Sequence, residues 1–333
     1  VTSDTLPPDT LPPEPLQPEP LQPEPLRLGA LIAELDTLTT ESFDRERADL
    51  DLLDTRALVA AMNSEDQRVA GAVAACGDQI AAAVDAIVAR LRRGGRLVYL
   101  GAGTAGRVGI LDASECPPTF GTPPELVVGL IAGGETAIHT AVEGAEDDPD
   151  GVLPDFDRLG VNERDAVVGI SASGRTPYVR GALAHARARG ALTVAVSANA
   201  DSVIATVADI AIETVVGPEF VAGSTRLKAG TAQKLVANML TTLTMVKLGK
   251  TYRGVMVDLL ATNDKLRARS IRTVALVTGC DHAEAERALA EVGGGVKRAI
   301  LRVLTGLDAA ATAQALDDAD GFLRVALDRA LPR

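Results

Sequence analysis

Two short loops in this chain carry hydroxyl groups where an anion would need them. Gly103-Thr104 follows one apolar run, and Ser171-Ala172-Ser173-Gly174-Arg175-Thr176 follows another. Short hydroxyl side chains beside glycine at a strand-to-helix turn bring O–H and backbone N–H donors onto one anion. The helix N-terminus adds its partial positive charge. Such a cradle holds a phosphate without a metal or a broad basic patch. Either loop alone reads equally well as an ordinary helix cap; the pair in one sheet points to a phosphorylated ligand. Gly101-Ala102-Gly103-Thr104-Ala105-Gly106 also satisfies the dinucleotide fingerprint GxGxxG. Two features weigh against a nicotinamide or flavin. Pro117-Pro118 is expected to cut the following helix short, since proline deletes a donor and clashes with the preceding turn. The next strand ends in Ile131-Ala132-Gly133-Gly134 with no carboxylate at its tip to take a ribose, and Glu135 belongs to a helix cap.

The elements that position these loops alternate. Apolar runs at 96–100, 126–131, 166–170, 192–196 and 208–213 read as strands, the fourth ending in Ser197-Ala198-Asn199. Between and around them lie helical stretches: one capped by Asp54 and running through Met62, and one opened by a Ser64/Gln67 capping box and running to about Arg93. A long helix covers 230–250. This is an α/β chain with a doubly wound parallel sheet, whose ligands bind at the strands' carboxyl ends. After Asn263 the pattern becomes all helix, at about 264–277, 281–292, 295–305, 308–316 and 321–330, with glycines between. Three parts follow: a disordered proline-rich tail at 1–35, a catalytic domain with N-terminal helices at 44–262, and a small helical domain at 263–333. The tail repeats Leu-Gln-Pro-Glu-Pro at 16–20 and 21–25.

Composition removes several function classes. Among 333 residues the net charge is −12, which excludes the basic field of a nucleic-acid surface. With 2% aromatic residues and no Trp, there is little to build an aromatic sugar platform. Cys76, Cys116 and Cys280 are too scattered for a disulfide framework or a zinc site, and His139, His185 and His282 read as structural, His185 on a surface helix. No cofactor and no metal are expected. No apolar run reaches the roughly 18 to 20 residues of a membrane span and the start shows no signal-peptide pattern, so the chain is expected to be cytoplasmic.

Longer motifs carry a resemblance. Ser171 to Thr176 resembles the phosphate loop of the sugar isomerase (SIS) domains, which bind phosphosugars. GAGTAGRVGILDASECPPTF, from Gly101 to Phe120, is similar to the signature of the N-acetylmuramic acid 6-phosphate etherases. So are Ile131 to Gly134, Ala141 to Asp147, Ser171 to Tyr178, Ser224 to Lys234 and Thr262 to Leu266. The likeness runs from about residue 40 to the C-terminus. Ala105 stands where the family usually has serine, and Thr40-Glu41-Ser42-Phe43 departs from the family's N-terminal pattern.

The resemblance implies an SIS-type sheet and cleavage of the lactyl ether of the muramic sugar phosphate, without cofactor, in cell-wall amino-sugar recycling. Ring opening exposes an aldehyde that acidifies the C2 hydrogen. Loss of that proton lets lactate leave C3, and water then adds to the unsaturated aldehyde. Two carboxyl groups in different protonation states can serve these steps. By the resemblance, Glu115 is the acid that protonates lactate, kept neutral in a partly apolar site, and Glu146 is the base. Phosphate and sugar contacts fall to Gly103, Thr104, Ser171, Ser173, Gly174, Thr176, Glu219, Ser224 and Lys228, the last three on a segment that in SIS proteins closes over the sugar. Surface charges on a capped helix are the competing reading there. Arg107 and Arg175 are further candidates for the substrate's anions. A homodimer with shared sites is implied. An isomerase on the same fold explains the loops but not the paired glutamates, and a phosphosugar sensor explains neither glutamate. The one-pocket expectation is sharp: both glutamates should face a cavity whose far end is Ser171 and Ser173.

Overall fold

The computed structural model describes residues 25–259 and 263–331. Of the described residues, 25–37 belong to a unit of their own, and the compact body begins at Leu38. Within the stretch expected to be a disordered tail, α1 (Pro25–Leu35) is helical, with proline at its start where a missing amide costs nothing. The tail repeat at 16–25 lies almost wholly outside the described residues.

The body opens with α2 (Thr55–Ala74) and α3 (Gly77–Leu91). Asp54 caps α2 as its sequence suggests, its Oδ1 accepting the Ala57 N–H at 2.8 Å. Ser64 opens no new helix. It lies in the middle of α2, because Val69 and Val73 continue the buried stripe without a break, and the chain turns only at 75–76. There follow β1 (Leu97–Gly101), α4 (Gly103–Phe120), β2 (Val127–Ile131), α5 (Gly134–His139) and α6 (Leu153–Leu159). Next come β3 (Ala166–Ile170), α7 (Pro177–Ala188), β4 (Leu192–Ser197), β5 (Ile210–Glu213) and α8 (Lys228–Lys247).

The five strands form one parallel sheet in the order β2-β1-β3-β4-β5. Alternation sorts their side chains to two cores. Leu97, Tyr99, Val168 and Val194 join α2, α3, α4 and α8 on one face, and Val98, Leu100, Val167 and Ala195 join α6 and α7 on the other. The order reverses between β1 and β3. Gly101 is in register with Ile170, so the two hydroxyl loops leave the sheet side by side at that switch point.

Helix α4 does not stop at Pro117-Pro118. It runs through both to Phe120 and ends on Gly121 in the left-handed conformation. Two lost amide bonds near a helix end are outweighed by tight seating on the sheet. A Cβ on Gly106 would fall 2.5 Å from Ile131 Cγ1 and 2.7 Å from the Gly101 carbonyl oxygen. Gly106→Ala is therefore expected to lift α4 from β1 and β2 and cost about 1–3 kcal/mol, read as a lower urea midpoint.

The remainder is a hairpin, β6 (Thr251–Tyr252) with β7 (Val255–Met256), and five helices: α9 (Asp264–Thr278), α10 (His282–Glu291), α11 (Val296–Thr305), α12 (Ala309–Asp317) and α13 (Leu323–Ala330). Tyr252, Val257, Val274, Leu289, Ile300 and Leu327 belong to a core cluster separate from those of the sheet. Among the described residues, no single helix is long and apolar enough to cross a membrane.

Candidate active site

Ser171 directly follows β3 and is buried. Its Oγ lies 2.7 Å from Thr176 Oγ1 and 3.4 Å from Ser173 Oγ, and accepts the Gly174 N–H at 3.1 Å. Thr176 is the N-cap of α7, with Pro177 in the first turn, and Ser173 Oγ accepts the Arg175 N–H at 3.3 Å. Three hydroxyls thus meet at a helix start. Beside them Gly103, exposed, starts α4 behind Ala102, which caps nothing with its side chain, so the first amides of α4 are open to an anion. A Cβ on Gly230 of α8 would meet the Thr104 methyl at 3.2 Å, which brings the Ser224–Lys228 loop against the same corner. Ala105, in the place of the family's serine, is buried in the core between α4 and the helices beside it.

Glu146 stands exposed in a single 3-10 turn, Ala145–Asp147. It lines a cavity of about 220 Å³ with Gly103, Arg107, Ala132, Val142 and Glu143. The loop that carries it is fixed at both ends. Arg107 donates from Nε and Nη2 to the carbonyls of Ile138 and Ala137, both at 2.8 Å, so two of its donors close off α5. At the other end the Pro149 carbonyl approaches α7 where only glycine fits, since a Cβ on Gly181 would fall 1.9 Å from it. Asp150 pairs with His185 Nε2 at 2.7 Å, the structural use expected for that histidine.

Glu115 is elsewhere. It lies on α4 twelve residues beyond Gly103, roughly 18 Å along the axis at 1.5 Å per residue. There it lines a second cavity, of about 520 Å³, with Asp112, Cys116, Asn238, Thr241 and Met256. One chain therefore does not bring Glu115 to Glu146, Ser171 and Ser173, and the one-pocket expectation fails for a single chain. The apolar shelter expected for Glu115 is missing too, because the side chain is exposed. Leu111, one turn earlier on α4, is also exposed, as are Met239, Leu243 and Val246 at helical spacing on α8, with Val246 lining the same cavity.

Sequence reasoning missed the groups beside Glu115. Asp112 Oδ1 accepts from Asn238 Nδ2 at 2.6 Å, and Asn238 Oδ1 in turn accepts from Lys234 Nζ at 2.7 Å. Burial pushes the Asp112 carboxyl up from its ordinary value. Burial, then the charges of Asp112 and Glu115, pushes the Cys116 thiol up to about 12, so it stays a thiol. Asp112 lies inside the Gly101 to Phe120 stretch that carries the resemblance, three residues before Glu115 on the same helix face, and that is the available signal.

Two residues expected to touch the sugar are occupied otherwise. Glu219 is buried and accepts the N–H groups of Lys228 and Ala229, both at 2.9 Å, which makes it the cap of α8. Lys228 is 1% exposed, and its Nζ donates to Glu65 Oε2 at 2.7 Å. Arg47 holds the other oxygen of Glu65 at 2.7 Å. Burial alone would lift the Glu65 carboxyl, but its bonds to Arg47 and Lys228 outweigh it and hold the group at about 2. Ser224 is half-buried in the turn that precedes α8. Among the described residues no cluster of His, Cys, Asp and Glu is arranged to hold a metal ion.

Comparison with known proteins identifies the fold and the family. The profile of the SIS domain matches residues 136–243, and that of the glucokinase regulatory protein N-terminal SIS domain matches 79–187. Relatives named N-acetylmuramic acid 6-phosphate etherase cover nearly their whole length. The one from Streptomyces avermitilis is 60% identical over 91% of this chain and 97% of its own. Those from Streptomyces coelicolor and Brucella anthropi are 56% and 54% identical, each over 90% of this chain and 97% of their own.

Proposed function

This chain belongs to the N-acetylmuramic acid 6-phosphate etherase family and is an enzyme of that activity, and from that premise we propose how its residues divide the work. Ser171, Ser173 and Thr176, with the first amides of α7 and α4, hold the 6-phosphate. Glu146 of the same chain acts on the sugar as the base, most directly for the water that adds at C3. Glu115 of a second copy supplies the proton that leaves with lactate. The atoms balance: the C2 hydrogen leaves as a proton, the C3–O bond breaks with protonation of the lactate oxygen, and one water restores the hydroxyl at C3 and the hydrogen at C2. The products are N-acetylglucosamine 6-phosphate and D-lactate.

The observation that carries this division is the separation of Glu115 from the hydroxyl cradle within one chain, together with its neighbours. Leu111, one turn before it on α4, and Val246, which lines its cavity, are exposed, and so are Met239 and Leu243 on the helix of Val246, which together offer an apolar face. A homodimer formed through that face buries the apolar groups and carries Glu115 out of water toward the site of the second copy. The enzyme works in the cytoplasm, on sugar phosphates from cell-wall recycling. Glu219 and Lys228 serve the site by fixing the start of α8 against Thr104 rather than by touching sugar.

Purified protein incubated with N-acetylmuramic acid 6-phosphate should release D-lactate, and its absence would sink the reading. Ser171→Ala removes one hydrogen bond to a charged group, worth about 1.5–3 kcal/mol, so KM should rise about 10- to 100-fold. An unchanged KM would move the phosphate elsewhere.

A further inference from the structure

Asn199 follows β4 in the Ser197-Ala198-Asn199 turn and is buried, 3% exposed. Its two amide atoms serve two different segments. Nδ2 donates to the carbonyls of Ala172 at 3.0 Å and Ser173 at 3.4 Å, in the middle of the phosphate loop, and to Thr40 Oγ1 at 3.0 Å. Oδ1 accepts from the Thr39 N–H and the Thr39 hydroxyl, both at 2.8 Å, and from the Thr40 N–H at 3.4 Å. Thr40 then passes the connection on, for its carbonyl accepts the Gly223 N–H at 3.2 Å in the loop before α8. One side chain thus stands between the cradle and the strand of chain that crosses to the third polar loop.

We propose, on the phosphosugar reading above, that Asn199 is a positioning residue that sets the phosphate loop for anion binding by turning the Ala172 and Ser173 carbonyls away from the cradle. The chemistry is a matter of sign. A loop that binds phosphate must point N–H and O–H groups at it, and a carbonyl swung inward meets the anion with like partial charge. The Ala172 carbonyl also accepts the Ala198 N–H at 3.0 Å, so Asn199 adds a second tie there and reaches on to the Ser173 carbonyl; with both carbonyls held, the hydroxyls of Ser171, Ser173 and Thr176 keep the inward side. The same amide orientation is fixed from behind, because Thr39 and Thr40 present donors that only the oxygen of Asn199 can take.

Asn199→Asp separates this role from simple packing. The aspartate keeps an acceptor for Thr39 and Thr40 but puts a second oxygen against the two loop carbonyls. N-acetylglucosamine 6-phosphate, the product, is titrated calorimetrically into wild type, Asn199→Asp and Asn199→Ala, and D-lactate release is measured in parallel. Both variants should lose product affinity about tenfold or more, and the loss in turnover should fall on KM rather than on kcat. Should Asn199→Ala not fold, Asn199→Asp alone carries the comparison. Product affinity and KM of Asn199→Asp equal to wild type would overturn the proposal, leaving Asn199 as an anchor for residues 39 and 40 only. A kcat loss with unchanged KM would overturn it too. Wild type that releases no D-lactate would instead sink the function reading on which it rests.

Discussion

Subunits carrying Glu115→Ala and subunits carrying Glu146→Ala, each inactive alone, should recover about a quarter of the wild-type rate of D-lactate release when unfolded together and reassembled. On the proposed division of roles each single change removes a proton-transfer group, so kcat should fall by roughly 10²- to 10⁴-fold. In a homodimer whose sites take Glu146 from one protomer and Glu115 from the other, a mixed dimer has one site with both glutamates and one with neither. Random assembly makes about half of the dimers mixed, each with one of its two sites intact, hence about a quarter of all sites. If both glutamates act within one chain, no mixture recovers anything. The result therefore reports directly on the separation of the two cavities lined by Glu115 and by Glu146.

The second large effect is on stability. Lys228→Met removes the buried ammonium from Glu65 and leaves the carboxylate to Arg47 and, at 3.4 Å, to Arg68. Breaking one partner of a buried pair costs about 3–5 kcal/mol, and the retained Arg47 argues for the lower end. Methionine fills the space of the lysine stem, so the loss belongs to charge rather than volume. The pH dependence has a definite direction. Glu65 sits at about 2 in the folded protein against an ordinary value of 4.5, so its stabilisation is complete above about pH 4.5 and disappears as pH falls through 2. Without Lys228 the folded value rises toward the ordinary one, and that part of the acid-dependent stability shrinks. Urea midpoints between pH 2 and pH 7 should show a smaller pH-dependent difference for the variant; equal slopes would show that Arg47 alone sustains Glu65.

The sheet was legible because buried parallel strands write themselves as short apolar runs ended by glycine and serine, and the observed strands differ from those runs by a residue or two. The hydroxyl cradle was legible for the same reason, since Ser171 to Thr176 is local. What escaped is what joins distant positions. Glu65 and Lys228 lie 163 positions apart, and no local pattern says that a lysine opening a helix will be buried on a glutamate. The resemblance of its segment to the SIS loop that closes over the sugar makes Glu219 a sugar contact, whereas its partners are two amides nine and ten residues on. Pro117-Pro118 misled in the same way. Their local cost is real, but the seating of Gly106 and Gly109 on the sheet decides the helix. Because α4 is continuous, the proline pair no longer weighs against a dinucleotide; the missing carboxylate still does, since β2 ends at Ile131 and Ala132 follows it.

The double anchorage of the Glu146 loop has its own consequence. Arg107 grips the chain at 137 and 138, while Gly181 and His185 receive it at 149 and 150. The ten residues between are a short span on two fixed piers. The two anchors bound how far the backbone that carries Glu146 can travel, so part of the entropy of aiming it is surrendered during folding, before any sugar arrives.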